Sequence, residues 1–457
     1  MKRTHRGIVA AALAAVVGVV LAGCAPGSSS TPSGKDTDFT TITKPVTAAQ
    51  VADLGDVTLK IWADAGEKDT LDTIIGTYEK SYSNVKVDVT YKDWDDLMST
   101  VVNAMASDNP PDIANGNQGF ATMGTMVKGK MIRPLDDFVK AYGLDQGVPA
   151  SGFDSYRWND AGTSWGTGSI VGVGGATQPL GVFYNKAKLD KLGLKPPQTL
   201  ADLEADLKVA KAGGEIPIQL GNSDQYPLGS HLLGILIDMF ATPDEVNAWI
   251  AGGKGTTFDM PGVQKAVKTL QEWGDAGYFP AGYDGTSLDE AVADYAKGQG
   301  VFFLGGSFNG STIAKTDPNG FGFTLLQNDS GKYVTTGTFG TPWHISSKSK
   351  VQPAALAFLG LLLSKDSAQV YADTSRLPNY GLADVKPTGA MHEAQLKAAQ
   401  AFFANGDFVG YLDWATPTMQ ATLGAGAQEL LAGKTTPEGF IQRVQKDWSD
   451  YQSGSKG

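Results

Sequence analysis

The chain has 457 residues, of which 42% are hydrophobic and 19% charged, and its formal net charge is −11. The length exceeds one ordinary core and points to two domains or lobes, and the apolar content is that of a folded rather than a disordered chain. The acidic balance argues against nucleic acid as a partner and against a polybasic grip on anionic lipid, since both need clustered Lys and Arg.

The first element is a leader. Lys2, Arg3 and Arg6 form a positive segment ahead of the apolar stretch from Ile8 to Leu21, which has the length of a secretory h-region and falls short of the ~20 residues of a membrane span. It ends in Leu21-Ala22-Gly23-Cys24, a string that reads as a bacterial lipobox. Residues 1–23 are therefore expected to be a lipoprotein signal peptide, and the Cys24 thiol the acceptor of a diacylglycerol. Cys24 is the only cysteine, so no intrachain disulfide or cysteine metal cluster can form. Residues 24–49, which begin in a Pro/Ser/Gly-rich run (APGSSSTPSGKDTD, 25–38), read as a lipid-anchored flexible tether. The bilayer is then a partner through Cys24 alone, with the folded part on the extracytoplasmic face of the cell membrane.

Beyond the tether, Val57 to Trp62 alternates and is rich in β-formers, which predicts a strand. Thr70 to Tyr82 places Leu71, Ile74, Ile75 and Tyr78 at helical spacing, and Val85 to Val89 predicts a second strand. Strand, helix, strand points to a parallel α/β sheet. A helix follows over Trp94 to Met105, broken by Asn109-Pro110-Pro111. Asp112-Ile113-Ala114 then starts a short strand that runs out into Asn115-Gly116-Asn117-Gln118-Gly119. Further strands are predicted at 182–184 and 216–219, and helices at 200–212 and 263–276. Leu356 to Leu363 is too short to span a membrane and reads as a buried helix.

The order of landmarks resembles the family 1 extracellular solute-binding proteins, which include the maltose-binding type. The landmarks are the Trp62 strand with its helix and second strand, and Pro111-Asp112-Ile113 followed by Gly129 to Leu135 (GKMIRPL). Gly181 to Lys186 (GVFYNK) comes next, with Leu192-Gly193-Leu194 and Pro196 to Leu200 (PPQTL). Lys297 to Phe303 (KGQGVFF) leads into Gly305-Gly306-Ser307-Phe308, and Gly337 to Ser346 and Leu431 to Glu438 (LAGKTTPE) complete the series. The resemblance implies an α/β, two-lobed fold of the type II periplasmic-binding kind. Each lobe would be a mostly parallel sheet flanked by helices, with crossovers as the hinge. Lobe one would be 50–178 plus 299–338, and lobe two 179–298 plus 339–457. It also implies a monomeric carrier that closes on a carbohydrate and passes it to the membrane subunits of an ABC importer.

A sugar needs flat aromatic faces for its C–H side and fixed polar groups for its hydroxyls, and in open α/β sheets such groups gather at the carboxyl ends of strands. On that rule the ligand-binding candidates are Asp64 and Glu67 after the first strand, Asn117 and Gln118 after the 112–114 strand, and Asn222, Asp224 and Tyr226 after the 216–219 strand. The two acids could equally serve the positive end of the following helix. The resemblance adds Gln178 beside the first crossover and Phe308, where many relatives carry a stacking Trp, with Asn309 beside it. Phe339 lies near the second crossover, and Arg376 is at a position where relatives place a hydroxyl-clamping Arg, a structural salt bridge being the equal alternative. Trp414 is a possible second platform. Trp249, Trp273 and Trp448 fit helical patterns and read as core.

No catalytic or cofactor signature competes. His231, His344 and His392 lack metal-ligand spacing and read as structural or surface residues. Gly124 to Met131 imitates a phosphate loop but ends in Met where Ser or Thr should meet Mg²⁺. Neither a resident metal nor a cofactor is expected, and the chain is not read as an enzyme. The alternatives left open are a polyamine or other non-sugar carrier on the same fold and, less favoured, a glycoside-active enzyme with two acids paired across the cleft.

Overall fold

The computed structural model describes residues 40–146 and 150–454, without the side chains of 150 and 151. The signal segment, Cys24 and the tether up to residue 39 lie outside the described residues. The remainder of that tether, 40–49, is not a free linker. Ile42 N–H donates to Asp137 Oδ2 (3.0 Å), Val46 N–H to Tyr142 Oη (3.1 Å), and Thr47 caps the helix Ala48–Ala52. Apolar Ile42 and Val46 within the polar stretch are what dock it.

Two four-stranded sheets organise the body. The first contains β1 (Val57–Asp64), β2 (Val85–Lys92), β3 (Ile113–Asn115) and the later β8 (Trp343–Ile345), in the order β8-β3-β1-β2. β1 runs parallel to β2 and β3, while β8 runs antiparallel to β3. Leu59, Ile61 and Ala63 are fully buried and alternate with partly exposed neighbours, the period of a strand packed chiefly on one face. The helices Lys68–Ser81 and Trp94–Ala106 carry the parallel connections. Asp112 fixes the start of β3, with its Oδ2 accepting from Lys60 N–H at 2.9 Å.

The second sheet contains β4 (Leu180–Asn185), β5 (Ile218–Gln219), β6 (Phe302–Gly306) and β7 (Phe321–Thr324), in the order β7-β4-β6-β5. β4 is antiparallel to both β6 and β7, and only β5–β6 is parallel. The sheets are therefore mixed, and the second is mainly antiparallel rather than mostly parallel. Both of its faces are buried: Phe183, Phe303, Phe321 and Phe323 pack on one side with Tyr295, and Val182, Phe302 and Leu304 join the main core on the other.

The lobe boundaries drawn from the resemblance are corrected at the crossovers. Segment 299–338 does not join the first sheet, because β6 and β7 pair with β4. Segment 339–457 does not belong wholly with the second, because β8 pairs with β3 and Tyr78 Oη donates to Ala354 O (2.9 Å) on the helix Gln352–Leu362. The helix Ala390–Asn405 returns to the second sheet, and the helix Met419–Leu431 packs on the turn Pro227–Leu232 that follows β5. A continuous apolar strand announces burial on both faces but not the sheet it enters.

Near a crossover, the ribbon Tyr333–Thr336 pairs in parallel with Gly406–Val409. Buried Asp238 holds its end, accepting from Thr336 N–H (2.5 Å) and Thr336 Oγ1 (3.1 Å). Burial pushes this carboxyl up to about 7, against the partial relief of the two Thr336 bonds. A folded-state pKa above the unfolded one gives stability that is complete below about pH 4 and is lost as pH rises through 7. Buried His231 and His344, both lowered to about 4, act in the opposite direction between pH 6.5 and 4, so the whole profile does not isolate Asp238. Asp238→Asn does: its stability relative to the unsubstituted chain should rise steadily from pH 4 to pH 7.5 in denaturant titrations. A constant difference would place the titration elsewhere.

Candidate functional site

The carboxyl ends of β1, β2 and β3 open onto a cavity of about 330 Å³. Asp64 reaches it from β1, Asp93 and Trp94 from the turn after β2, and Asn117 and Gln118 from the loop after β3. The second sheet contributes Phe308 and Asn309 beyond β6, with Tyr226, Ser230 and His231 on and beside the turn Pro227–Leu232. Gln178, Thr338 and Thr341 come from crossovers, and Arg376, Tyr411, Asp413 and Trp414 also line the cavity, with Leu288, Asp289, Ser311, Thr312 and Gln420.

Several of the polar groups are held in place. Asp64 caps the short turn Ala65–Glu67 by accepting from Gly66 N–H at 3.2 Å. Burial, then the charge of Glu67, pushes its carboxyl up to about 6. Arg376 Nη1 meets Glu67 Oε1 at 2.8 Å, and its Nη2 donates to Gly66 O. Both side chains are under 10% exposed, so this pair locks the β1 loop to segment 374–378. Gln118 Nε2 donates to Thr338 Oγ1 (3.1 Å) and Gly340 O (2.9 Å), tying the β3 loop to a crossover. Asp413 is raised to about 6 by burial, with the Ser230 hydroxyl offsetting part of the effect.

The aromatic surface is contiguous. The Trp414 ring lies 5.2 Å from Tyr411, and its Nε1–H donates to Asn117 Oδ1 at 3.1 Å. Gly119 makes room for it: φ is +79°, and an added Cβ would stand 2.6 Å from the Trp414 Cβ. His231 stands at 5.1 Å from Tyr226, 6.0 Å from Phe308 and 6.1 Å from Tyr411, ring centre to ring centre.

Nine of the candidates read from the sequence line this cavity: Asp64, Asn117, Gln118, Gln178, Tyr226, Phe308, Asn309, Arg376 and Trp414. Four do not. Glu67 is the buried partner of Arg376. Asn222 is consumed by the fold, accepting from Leu228 N–H (3.0 Å) and donating to Asp284 (3.1 Å). Asp224 accepts from Leu288 N–H (2.6 Å) at the start of a helix. Phe339 stacks on Phe403 and meets Phe408 in a neighbouring groove of about 790 Å³, which shares Thr338 and Trp414 with the cavity. His231, read as structural or surface, is buried and also borders the cavity. The strand-end rule applied to β2 points to Asp93 and Trp94, and Tyr411 and Asp413 flank a residue already chosen. Ser230 and His231 carry no such signal.

Two mixed sheets whose strand ends and crossovers enclose one polar, aromatic-lined cavity define a solute-binding fold of the type II periplasmic kind. Over residues 73–404 the chain matches the profile of the bacterial extracellular solute-binding proteins, and it belongs to that family. It is similar to a multiple sugar-binding protein of Streptococcus mutans serotype c, with 24% identity over 208 residues, 43% of this chain and 48% of that protein. The match thus spans about half the length of that curated relative. A solved chitin oligosaccharide binding protein shares the fold with a TM-score of 0.74 and 22% identity, over 87% of this chain and 100% of the other. The solute-binding protein RafE in complex with raffinose does so with a TM-score of 0.68 and 19% identity, over 86% and 99%.

Proposed function

We propose that this chain is the extracytoplasmic substrate-binding component of an ABC importer and that its solute is a sugar or oligosaccharide held in the 330 Å³ cavity. The observation that carries the reading is the pairing around one cavity of flat rings (Phe308, Tyr411, Trp414) with hydroxyl partners (Asp64, Gln118, Asn309, Arg376). Rings cover the apolar face of a pyranose, and the polar groups select its hydroxyl pattern. The relatives that bind chitin oligosaccharide and raffinose support the same class. The protein binds its solute without chemistry on it.

The body around each sheet acts as one lobe, and the crossovers near 177–180 and 336–343 are the hinge. A ligand that touches both lobes favours the closed form by its differential affinity, and importer membrane subunits read that form. Cys24 carries the lipid that keeps the monomeric carrier beside them. A thermal-shift screen over mono- and oligosaccharides tests the reading. At a hundredfold excess over Kd a ligand adds about 2.7 kcal/mol, and a rise of roughly 3 °C is expected. No response to any saccharide, with clear shifts from other solute classes, would refute it.

A further inference from the structure

We infer that the solute is read by three side-chain amides of fixed polarity: it offers a lone pair to Asn117 Nδ2 and hydroxyl hydrogens to Gln118 Oε1 and Asn309 Oδ1. The inference rests on the carbohydrate reading above. All three residues line the cavity. Asn117 Oδ1 accepts from Gln118 N–H (2.9 Å) and from Trp414 Nε1–H (3.1 Å). A backbone N–H and an indole N–H donate and do not accept, so turning this amide round would set donor against donor. The end left over is Nδ2. It donates to no group among the described residues, and unlike His231 Nδ1 it is not sealed inside the protein.

The other two amides are fixed the opposite way. Gln118 Nε2 commits its hydrogens to Thr338 Oγ1 (3.1 Å) and Gly340 O (2.9 Å), and Asn309 Nδ2 donates to Gly306 O (3.1 Å). A carbonyl oxygen accepts and does not donate, so the free ends are the acceptors Gln118 Oε1 and Asn309 Oδ1, and neither is sealed. Gln178 also lines the cavity, but its side-chain amide has no partner among the described residues and can turn to suit a ligand. A sugar hydroxyl donates and accepts at once, so a saccharide can meet both kinds of end. A protonated polyamine donates and cannot accept. It would serve Gln118 and Asn309 and leave the Asn117 donor desolvated and unpaired. The fixed donor thus selects a hydroxylated solute over an ammonium one.

Asn117→Asp and Asn117→Ala test this in the full chain, by thermal unfolding and by calorimetric titration with chitotriose, raffinose, maltotriose, galactose and spermidine. The Asp variant keeps the acceptor of both bonds and removes the donor, whereas the Ala variant removes both. Asn117→Asp should therefore melt at least about 2 °C above Asn117→Ala. Both variants should bind each saccharide that the unsubstituted chain binds at least about tenfold more weakly. Equal melting of the two, or Asn117→Asp binding a saccharide at full strength, overturns the inference. Weakening in Asn117→Asp with full affinity in Asn117→Ala overturns it too, since the added charge and not the lost donor would be the cause. Spermidine binding to the unsubstituted chain without any saccharide refutes the carbohydrate reading and the solute class with it, while the melting pair still decides the orientation of the amide.

Discussion

Arg376→Ala lowers the stability of the folded chain by about 3–5 kcal/mol, because it strands Glu67 as an unpaired carboxylate in a site that is under 10% exposed. The guanidinium also holds Gly66 O, so its loss frees the Ala65–Glu67 turn that positions Asp64. Stability and solute binding should therefore fall together, the first in denaturant titrations and the second in calorimetry. Removing both charges separates the causes. Glu67→Leu combined with Arg376→Met leaves no buried orphan and should recover most of the stability, while binding stays impaired because Arg376 faces the cavity. A loss below 1 kcal/mol in the single variant would mean that the two side chains do not form a closed pair in solution.

Trp414→Ala weakens saccharide binding by at least roughly 30-fold, the loss of a central aromatic anchor worth about 2 kcal/mol or more. Trp414 is the joint between cavity and groove: its indole bonds Asn117, its backbone rests against Gly119, and its ring meets Tyr411 and Trp165. Trp414→Phe retains a flat face but leaves Asn117 Oδ1 without its indole donor, so its affinity should lie between the two. Unchanged affinity in both variants would remove Trp414 from the site, and Phe308 would then be the platform.

Much of this architecture is legible in the residues, and the exceptions have physical causes. Val57 to Trp62 and the Leu71, Ile74, Tyr78 series announce their elements because one face of each is buried and one is not. Asp64, Asn117 and Gln118 follow from one rule, that polar and aromatic residues beyond a strand end face a crevice, whereas Phe308 follows from the family resemblance. The same rule selects Asn222 and Asp224, which the fold spends on Leu228 N–H and Leu288 N–H. A side chain beside an unsatisfied backbone donor has a use independent of any ligand, and type and spacing do not separate the two uses. The partner sheet of Phe302–Gly306 was equally hidden, since a strand apolar on both faces fits the centre of either sheet. His231 became part of the wall only through long-range packing against Phe308 and Tyr411.

The most direct test of the account is the position of a bound saccharide in a crystal structure. The predicted result is a pyranose ring stacked on Trp414 or Phe308, with hydroxyls on Asp64, Gln118 or Arg376 and contacts to residues from both sheets. A saccharide seated instead in the groove of Phe339, Phe403 and Phe408, or touching one sheet alone, would contradict it.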